Sequence, residues 1–537
     1  MKLQPHLLFV LADDFGWNNW QYRNPDLISP TLDQLAQDGV LLDHHYVYKF
    51  CSPSRSSLIS GRLPMHVNQE NSATEQPLAG IPASMTTFPE MLKSQGYRTA
   101  QIGKWHCGMA SPRVIPHGRG FDSSLGFFNF GEDHYTQIRG GEALDADGGL
   151  VEGSGESMVC GGGVRAVDLW KTDAPAFGMN GTYGGYLYTA EALRVIRAHD
   201  SSTPLFMFIA WQNNHPPLQV PAEYVARQKT AALRTAVNGM TTFLDEAMAN
   251  VTGALRDAGM WERTLLVFSG DNGGYLGQGG DNTPLRAGKF SDFQGGVRVP
   301  AFVAGGLLPS KLRGTTLAAS VHIADWAATF LELAGGHFDH DARAAAATPP
   351  LPQPDSLSLA LFLLGTNDTT PRTEVPLSVF TPSHRAQLDA HGPSAVAARH
   401  ARSGGPRDLW YYVGGEALIV GEWKLVLGVQ HDSHFSRTSN VSCDALTPPT
   451  GPGWDSKAAP GVPCTCGRAG CLFNLQDDPD EKTNLILAHP RTAARLSARL
   501  DVLRDSVYAP DRGPIEQAAC DVVGSKWGGF WGPWEDH

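Results

Sequence analysis

No apolar run in this chain approaches the roughly 18 residues of a membrane-spanning helix, which excludes an integral helical membrane protein. Positive charge is in deficit: 42 Lys and Arg stand against 54 Asp and Glu, a net charge of -12. Such a surface repels polyanions at long range and argues against a nucleic-acid groove, so an anionic ligand needs a locally basic pocket. Cysteine is sparse, with 8 residues at positions 51, 107, 160, 443, 464, 466, 471 and 520, and C-x-x-C pairs are missing. The cluster Cys443, Cys464, Cys466 and Cys471 lies in Pro- and Gly-rich chain, which favours disulfides in an oxidising compartment; a zinc knot is the rival reading. Internal repeats are not apparent. No basic region, long apolar core and cleavage site precede the first apolar stretch, so no signal peptide is visible.

What is there is the composition of a globular protein, 42% hydrophobic and 18% charged over 537 residues. That length suits one large domain and a smaller one, expected over residues 1–380 and 381–537. Apolar runs of strand length end abruptly in polar residues: His6 to Ala12 at Asp13-Asp14, Tyr97 to Ile102 at Gly103-Lys104-Trp105-His106, Leu205 to Trp211 at Asn213-Asn214-His215, and Thr264 to Ser269 at Asp271-Asn272. Continuous apolar strands are typical of parallel sheets buried on both faces, which bind ligands beyond the carboxyl ends of their strands. Helical periodicity alternates with them, at Pro30 to about Gly39, Pro89 to Gln95, Tyr188 to Ala198 and Ala232 to Ala258. The class is therefore α/β. Leu377 to Phe380 reads as the last core strand, Ala417–Val420 and Trp423–Leu427 as a hairpin, Leu472–Leu475 as a further strand and Arg491 to Val507 as an amphipathic helix.

Asp13, Asp14, Asp271 and Asn272 offer side-chain oxygens from two strand ends, a donor set for a hard divalent cation, and calcium tolerates crowded carboxylates better than magnesium. The segment Cys51-Ser-Pro-Ser-Arg55 sets one cysteine in a C-x-P-x-R frame, followed by Leu58-Ile59 and Gly61-Arg62. Downstream come Lys104 and His106 in Gly96-Tyr-Arg-Thr-Ala-Gln-Ile-Gly-Lys-Trp-His106, then His215 before Pro216-Pro217, then Lys289 ahead of Gly295-Gly-Val-Arg298. Four sequons, at Asn180, Asn250, Asn367 and Asn440, are compatible with secretory glycosylation.

In this order the motifs resemble the signatures of the type I sulfatases, nearest the arylsulfatase B (N-acetylgalactosamine-4-sulfatase) branch. Pro217-Leu-Gln-Val-Pro221, Phe268 to Gly274, Trp531-Gly-Pro-Trp534 and the sequon at Asn250 also match that branch. The resemblance implies an alkaline-phosphatase-like fold: a large mixed sheet flanked by helices, with a smaller C-terminal antiparallel sheet plus helix. It implies conversion of Cys51 to formylglycine by the formylglycine-generating enzyme, and one Ca2+ held by Asp13, Asp14, Asp271, Asn272 and the side chain at position 51. The substrate implied is a sulfated carbohydrate or aryl sulfate. By resemblance, the hydrated aldehyde attacks sulfur, Asp271 accepts a proton, Arg55 holds the modified side chain, Lys104 and Lys289 neutralise sulfate oxygens, His215 and Lys289 assist the leaving alcohol, and His106 triggers release of sulfate. A serine at position 51 lacks the second hydroxyl that this release requires. A lysosomal or secreted address follows from the same resemblance. The sequence departs from that branch at Cys520, whose partner there lies near residues 71 to 80 where this chain has no cysteine, and at Ser60, where Thr is frequent. A phosphodiesterase or phosphonate monoester hydrolase of the same superfamily, or a non-catalytic sulfated-glycan-binding protein, are the competing readings.

Overall fold

A computed structural model describes residues 4–71, 73–139, 164–229, 233–391, 415–430, 464–466 and 470–536. His6–Ala12 is apolar at almost every position because both its faces are covered. Leu7, Phe9 and Leu11 pack into one core cluster and Leu8, Val10 and Ala12 into another, the two-residue alternation of a strand. The first cluster takes in Leu58 and Ile59 of the helix Cys51–Ser60, Phe88 and Leu92 of Phe88–Ser94, and Trp326 and Phe330 of Asp325–Leu333. The second takes in Leu32 and Leu35 of Pro30–Gln37, Tyr188 and Ile196 of Gly184–Ala198, and Met240, Leu244 and Val251 of Leu233–Asp257. Helices thus cover both faces of the sheet.

Among the described residues that sheet has ten strands, in the order Thr315–Leu317, Val40–Leu42, Ala301–Ala304, Thr264–Gly270, His6–Ala12, Leu205–Ala210, Arg98–Lys104, Ser123–Phe127, Trp170–Lys171, Ala174–Pro175. Its centre is parallel: His6–Ala12 pairs with Leu205–Ala210 on one side and Thr264–Gly270 on the other, and Arg98–Lys104 follows Leu205–Ala210. Antiparallel pairs at Ala301–Ala304 and Trp170–Lys171 make it mixed. With Ser123–Phe127 parallel to Arg98–Lys104, five parallel strands deliver their carboxyl ends to one edge, with Asp13, Lys104 and Asp271 on or just beyond them. Gly103 lies in the left-handed region at φ 88°, and a Cβ there would sit 2.1 Å from the Ala210 carbonyl oxygen; only glycine lets these two strand ends close up.

A second, antiparallel sheet joins Glu374–Ser378, Gly415–Val420 and Trp423–Gln430, with Cys464–Thr465 and Cys471–Asn474 both on the last of these. The strand read from the sequence as the last of the core, Leu377 to Phe380, is a correction: the chain forms Glu374–Ser378 and pairs with Gly415–Val420 instead. Its run looks like a core strand because Val375 and Leu377 pack into one cluster and Val379 into another. Pro376 is tolerated because this is an edge strand with a bulge. The second sheet thus draws on residues from both sides of position 380. The helix Pro490–Arg504 lays Leu496, Leu500 and Leu503 on one face of it, and Tyr46, Ala287, Phe293 and Val297 of the large unit meet the other.

Cys466 and Cys471 form a disulfide, so the zinc alternative loses two of its four donors. Cys520 is disulfide-bonded although residues 71 to 80 offer it no partner, and Cys107 is a buried free thiol. Cys160 and Cys443 lie outside the described residues, as does the Asn440 sequon; Asn180, Asn250 and Asn367 are exposed.

Candidate active site

The helix Cys51–Ser60 begins with the cysteine itself, after an extended Phe50, and Gly61 closes it in the left-handed conformation. Pro53 is tolerated because the first-turn N–H groups have no partner within the helix. The positive end of the helix dipole lies at Cys51, where it favours negative charge. Every residue of this helix is buried, and two of its serines bond inward: Ser52 Oγ donates to the His106 carbonyl at 2.9 Å, and the Ser54 hydroxyl accepts from Tyr48 N at 2.9 Å.

All ten residues singled out from the sequence, Asp13, Asp14, Cys51, Arg55, Lys104, His106, His215, Asp271, Asn272 and Lys289, are buried. They converge. Lys104 Nζ is 2.6 Å from Asp13 Oδ2, and Lys289 Nζ is 2.6 Å from Asp14 Oδ1. Arg55 holds Asp271 Oδ2 from Nε at 3.0 Å and Nη2 at 2.8 Å, and its Nη1 donates to the Lys104 carbonyl. Cys51 Sγ donates to Asp13 Oδ1 at 3.5 Å. Asp14 and His106 both adopt positive φ, at 50° and 53°, a conformation uncommon outside glycine and concentrated at functional sites.

Formally, the three carboxylates and three cations cancel. A divalent cation and a singly charged sulfate ester entering together would leave one net positive charge, the basic pocket that an acidic protein needs for an anion. Asn272 Nδ2 donates to Asp14 Oδ1 at 2.7 Å, leaving Asp14 Oδ2 and Asn272 Oδ1 as buried oxygens without a hydrogen-bond partner. Unsatisfied buried oxygens are costly, and they are the donors hard cations take. One donor atom each from Asp13, Asp14, Cys51 and His215 also lies within 4.8 Å of the others. The residues therefore fit a hard divalent cation. His215 joins this group although the sequence suggested it only for the leaving alcohol, and Asp271 turns Oδ2 to Arg55.

The electrostatics follow from burial and these pairs. Burial alone would raise the Asp13 carboxyl, yet Lys104, His215, Arg55 and Lys289 hold it well below the usual carboxylate range. Burial, then the Asp13 charge, raises Asp271 to about 7 and the Cys51 thiol to about 12. An unmodified Cys51 is thus a poor nucleophile near neutral pH. Burial opposes the charged Lys289, but Asp14 keeps its pKa above the ordinary value. His106 and His215 are driven well below the usual histidine range, by burial and then by Lys104 and Lys289 respectively. The Nδ1 of His215 meets the Pro216 carbonyl oxygen at 2.6 Å, so Nε2 is the nitrogen left to the pocket.

Other supports were not legible in the sequence. Lys49 Nζ pairs with Asp292 Oδ2 at 2.7 Å, and Phe290 N donates to the Lys49 carbonyl at 2.7 Å, which ties the Cys51 segment to the Lys289 segment. Glu481, paired at 2.7 Å with Lys424 of the second sheet, accepts from Gln294 N and so steadies the same segment from the C-terminal side. The only sequence signal was Lys49, two residues before Cys51, where a lysine reads as solvated.

The sequence model of the family described as Sulfatase matches residues 5–336. Arylsulfatase J of Mus musculus is 31% identical over 545 residues, covering 99% of this chain and 80% of that protein. N-acetylgalactosamine-6-sulfatase of Rattus norvegicus is 30% identical over 313 residues, 55% of this chain and 56% of that one. Among solved structures, that of Ps i-CgsB in complex with k-i-k-neocarrahexaose superposes with a TM-score of 0.68 at 20% identity, covering 97% of both chains, a likeness of fold.

Proposed function

The chain belongs to the sulfatase family, whose members hydrolyse sulfate esters, and on that premise we propose an arylsulfatase B-type enzyme acting on sulfated glycans such as N-acetylgalactosamine 4-sulfate units. The observation that carries the reading is the meeting of Lys104 with Asp13 and of Lys289 with Asp14 beside the Cys51 thiol at a helix N-terminus. A sulfate ester shields its sulfur with anionic oxygens, so attack requires positive charge poised before the reaction begins. Formylglycine made from Cys51 would supply a hydrated aldehyde as nucleophile, and a calcium ion would supply charge against the sulfate oxygens. Asp13, Asp14, Asp271 and Asn272, with the side chain at position 51, would hold that ion.

The chain's own groups divide the remaining work. Lys104 and Lys289 neutralise sulfate oxygens, and Arg55 orients Asp271 and the side chain at position 51. Lys289, kept protonated by Asp14, and His215 through Nε2 hold the leaving oxygen. His106, neutral and with Nδ1 buried without a partner, is suited to take the proton whose removal releases sulfate. The Cys466–Cys471 disulfide and the exposed sequons support a lysosomal or secreted setting.

The test is mass spectrometry of the tryptic peptide Phe50–Arg55 from a host containing the formylglycine-generating enzyme, followed by kinetics on a panel of sulfated sugars. An aldehyde with turnover is expected. An unmodified thiol in that host, with glycan binding retained, would instead support the non-catalytic binding protein. Faster turnover of phosphate diesters or phosphonate monoesters than of sulfate esters would support the other branch of the superfamily.

A further inference from the structure

Resting on the sulfatase reading, we infer that Phe130 is the platform on which the ring bearing the sulfate stacks, so that the enzyme selects sulfate esters of pyranose or aryl ring alcohols over those of open-chain alcohols. Single exposed apolar residues are common on protein surfaces. Phe130 differs in its place and its support. It is 38% exposed, and its ring centroid lies 6.5 Å from that of His215, the histidine assigned to the leaving oxygen. A substituent on that oxygen has apolar surface within reach at Phe130.

The segment carrying it is braced. The Asp168 carboxylate accepts from Phe128 N and from Asn129 N, each at 2.9 Å, and Gln212 accepts from Glu132 N and donates to the Glu132 carbonyl. At Gly131 a Cβ would stand 3.0 Å from His215 Cε1, so the backbone lies directly against the histidine ring. The Arg139 guanidinium lies 5.3 Å from the Phe130 ring and 5.5 Å from the Trp531 ring, and is itself anchored by a buried ion pair with Glu75. Packing accounts for the backing of this ring but not for its open part. On a braced backbone and beside the Arg139 guanidinium, the ring offers a flat apolar surface for the C–H face of a sugar or for an aryl ring.

The experiment compares the enzyme with Phe130→Ala and Phe130→Tyr on 4-methylumbelliferyl sulfate, a methyl N-acetylgalactosaminide 4-sulfate and n-propyl sulfate, with inorganic sulfate as a competitive inhibitor. The expected result is a rise in KM of about tenfold for the ring substrates in Phe130→Ala. Recovery in Phe130→Tyr, little change for n-propyl sulfate and an unchanged inhibition constant for inorganic sulfate, which has no leaving group, complete the expectation. Unchanged KM for the ring substrates overturns the proposal. So does a parallel loss of kcat and of sulfate affinity, which would mark Phe130 as a prop for His215. Failure of the unsubstituted enzyme to hydrolyse any sulfate ester would sink the sulfatase reading itself and this inference with it, an outcome distinct from failure at Phe130 alone.

Discussion

Arg55 donates twice to one carboxylate oxygen of Asp271, from Nε at 3.0 Å and Nη2 at 2.8 Å, across 216 positions of sequence. The pair joins the helix that presents Cys51 to the end of the strand Thr264–Gly270, and neither side chain reaches solvent. Removing one partner leaves an uncompensated buried charge, a loss of about 3–5 kcal/mol. Arg55→Ala is expected to lower stability by that order in urea denaturation and to abolish activity, while Arg55→Ala with Asp271→Asn regains part of the stability and none of the activity. A wild-type urea midpoint for Arg55→Ala would contradict this.

Cys51→Ala should fold with unchanged circular dichroism and show no sulfatase turnover. Full activity in that variant would overturn the role assigned to position 51. Cys51→Ser should accumulate a sulfate ester on the serine, detectable by mass spectrometry of the peptide, because no second hydroxyl is present to release it.

Lys289→Ala removes the cation paired with Asp14 and the group that steadies the leaving oxygen. A fall in kcat/KM of about a hundredfold or more on sulfate esters is expected, in line with the loss of one preorganised charge-stabilising donor. Unchanged kinetics would remove Lys289 from the mechanism.

Added calcium should raise the melting temperature of chelator-treated protein, since a ligand that binds only the folded state stabilises it by mass action. Asp14→Asn, which alters a carboxylate bearing an unpartnered oxygen, should weaken that response. A melting temperature indifferent to calcium in the unsubstituted protein would exclude the cation at these residues.

Asp245 makes a pH prediction remote from the site. Its carboxylate accepts from Leu32 N at 2.7 Å, and burial raises its pKa from 3.8 to about 6. Between those values the folded state holds more proton than the unfolded state, so stability falls as pH rises through the window and the loss is complete above about 6. Asp245→Asn removes this dependence and should exceed the unsubstituted protein in stability at pH 7.5, by on the order of 2–3 kcal/mol at most, with the difference shrinking towards pH 4. Urea denaturation across that range measures it, and a difference that does not vary with pH would refute it.

The central strands were readable because each is covered on both faces, which writes a continuous apolar run into the chain. His6–Ala12 falls where its pattern put it, Thr264–Gly270 and Leu205–Ala210 each differ from their readings by one residue at the C-terminal end, and Arg98–Lys104 starts one residue later and ends two later than its reading. The same rule misled at Glu374–Ser378, since an edge strand of a second sheet wedged between two clusters carries the same run. Propensity identifies a strand; which sheet it joins is a matter of long-range pairing.

By itself the sequence determined the chemistry available: a cysteine in a C-x-P-x-R frame, acidic residues at strand ends, and lysines and histidines in an order that resembles one family. Those are local patterns, set by which residues can end a strand or begin a helix. Only the tertiary structure decided that Lys104 meets Asp13, that Lys49 reaches Asp292 and that Phe130 stands open beside His215. These partners are separated by 85 to 243 positions, and no local pattern encodes a contact made when a parallel sheet brings remote strand ends to one edge.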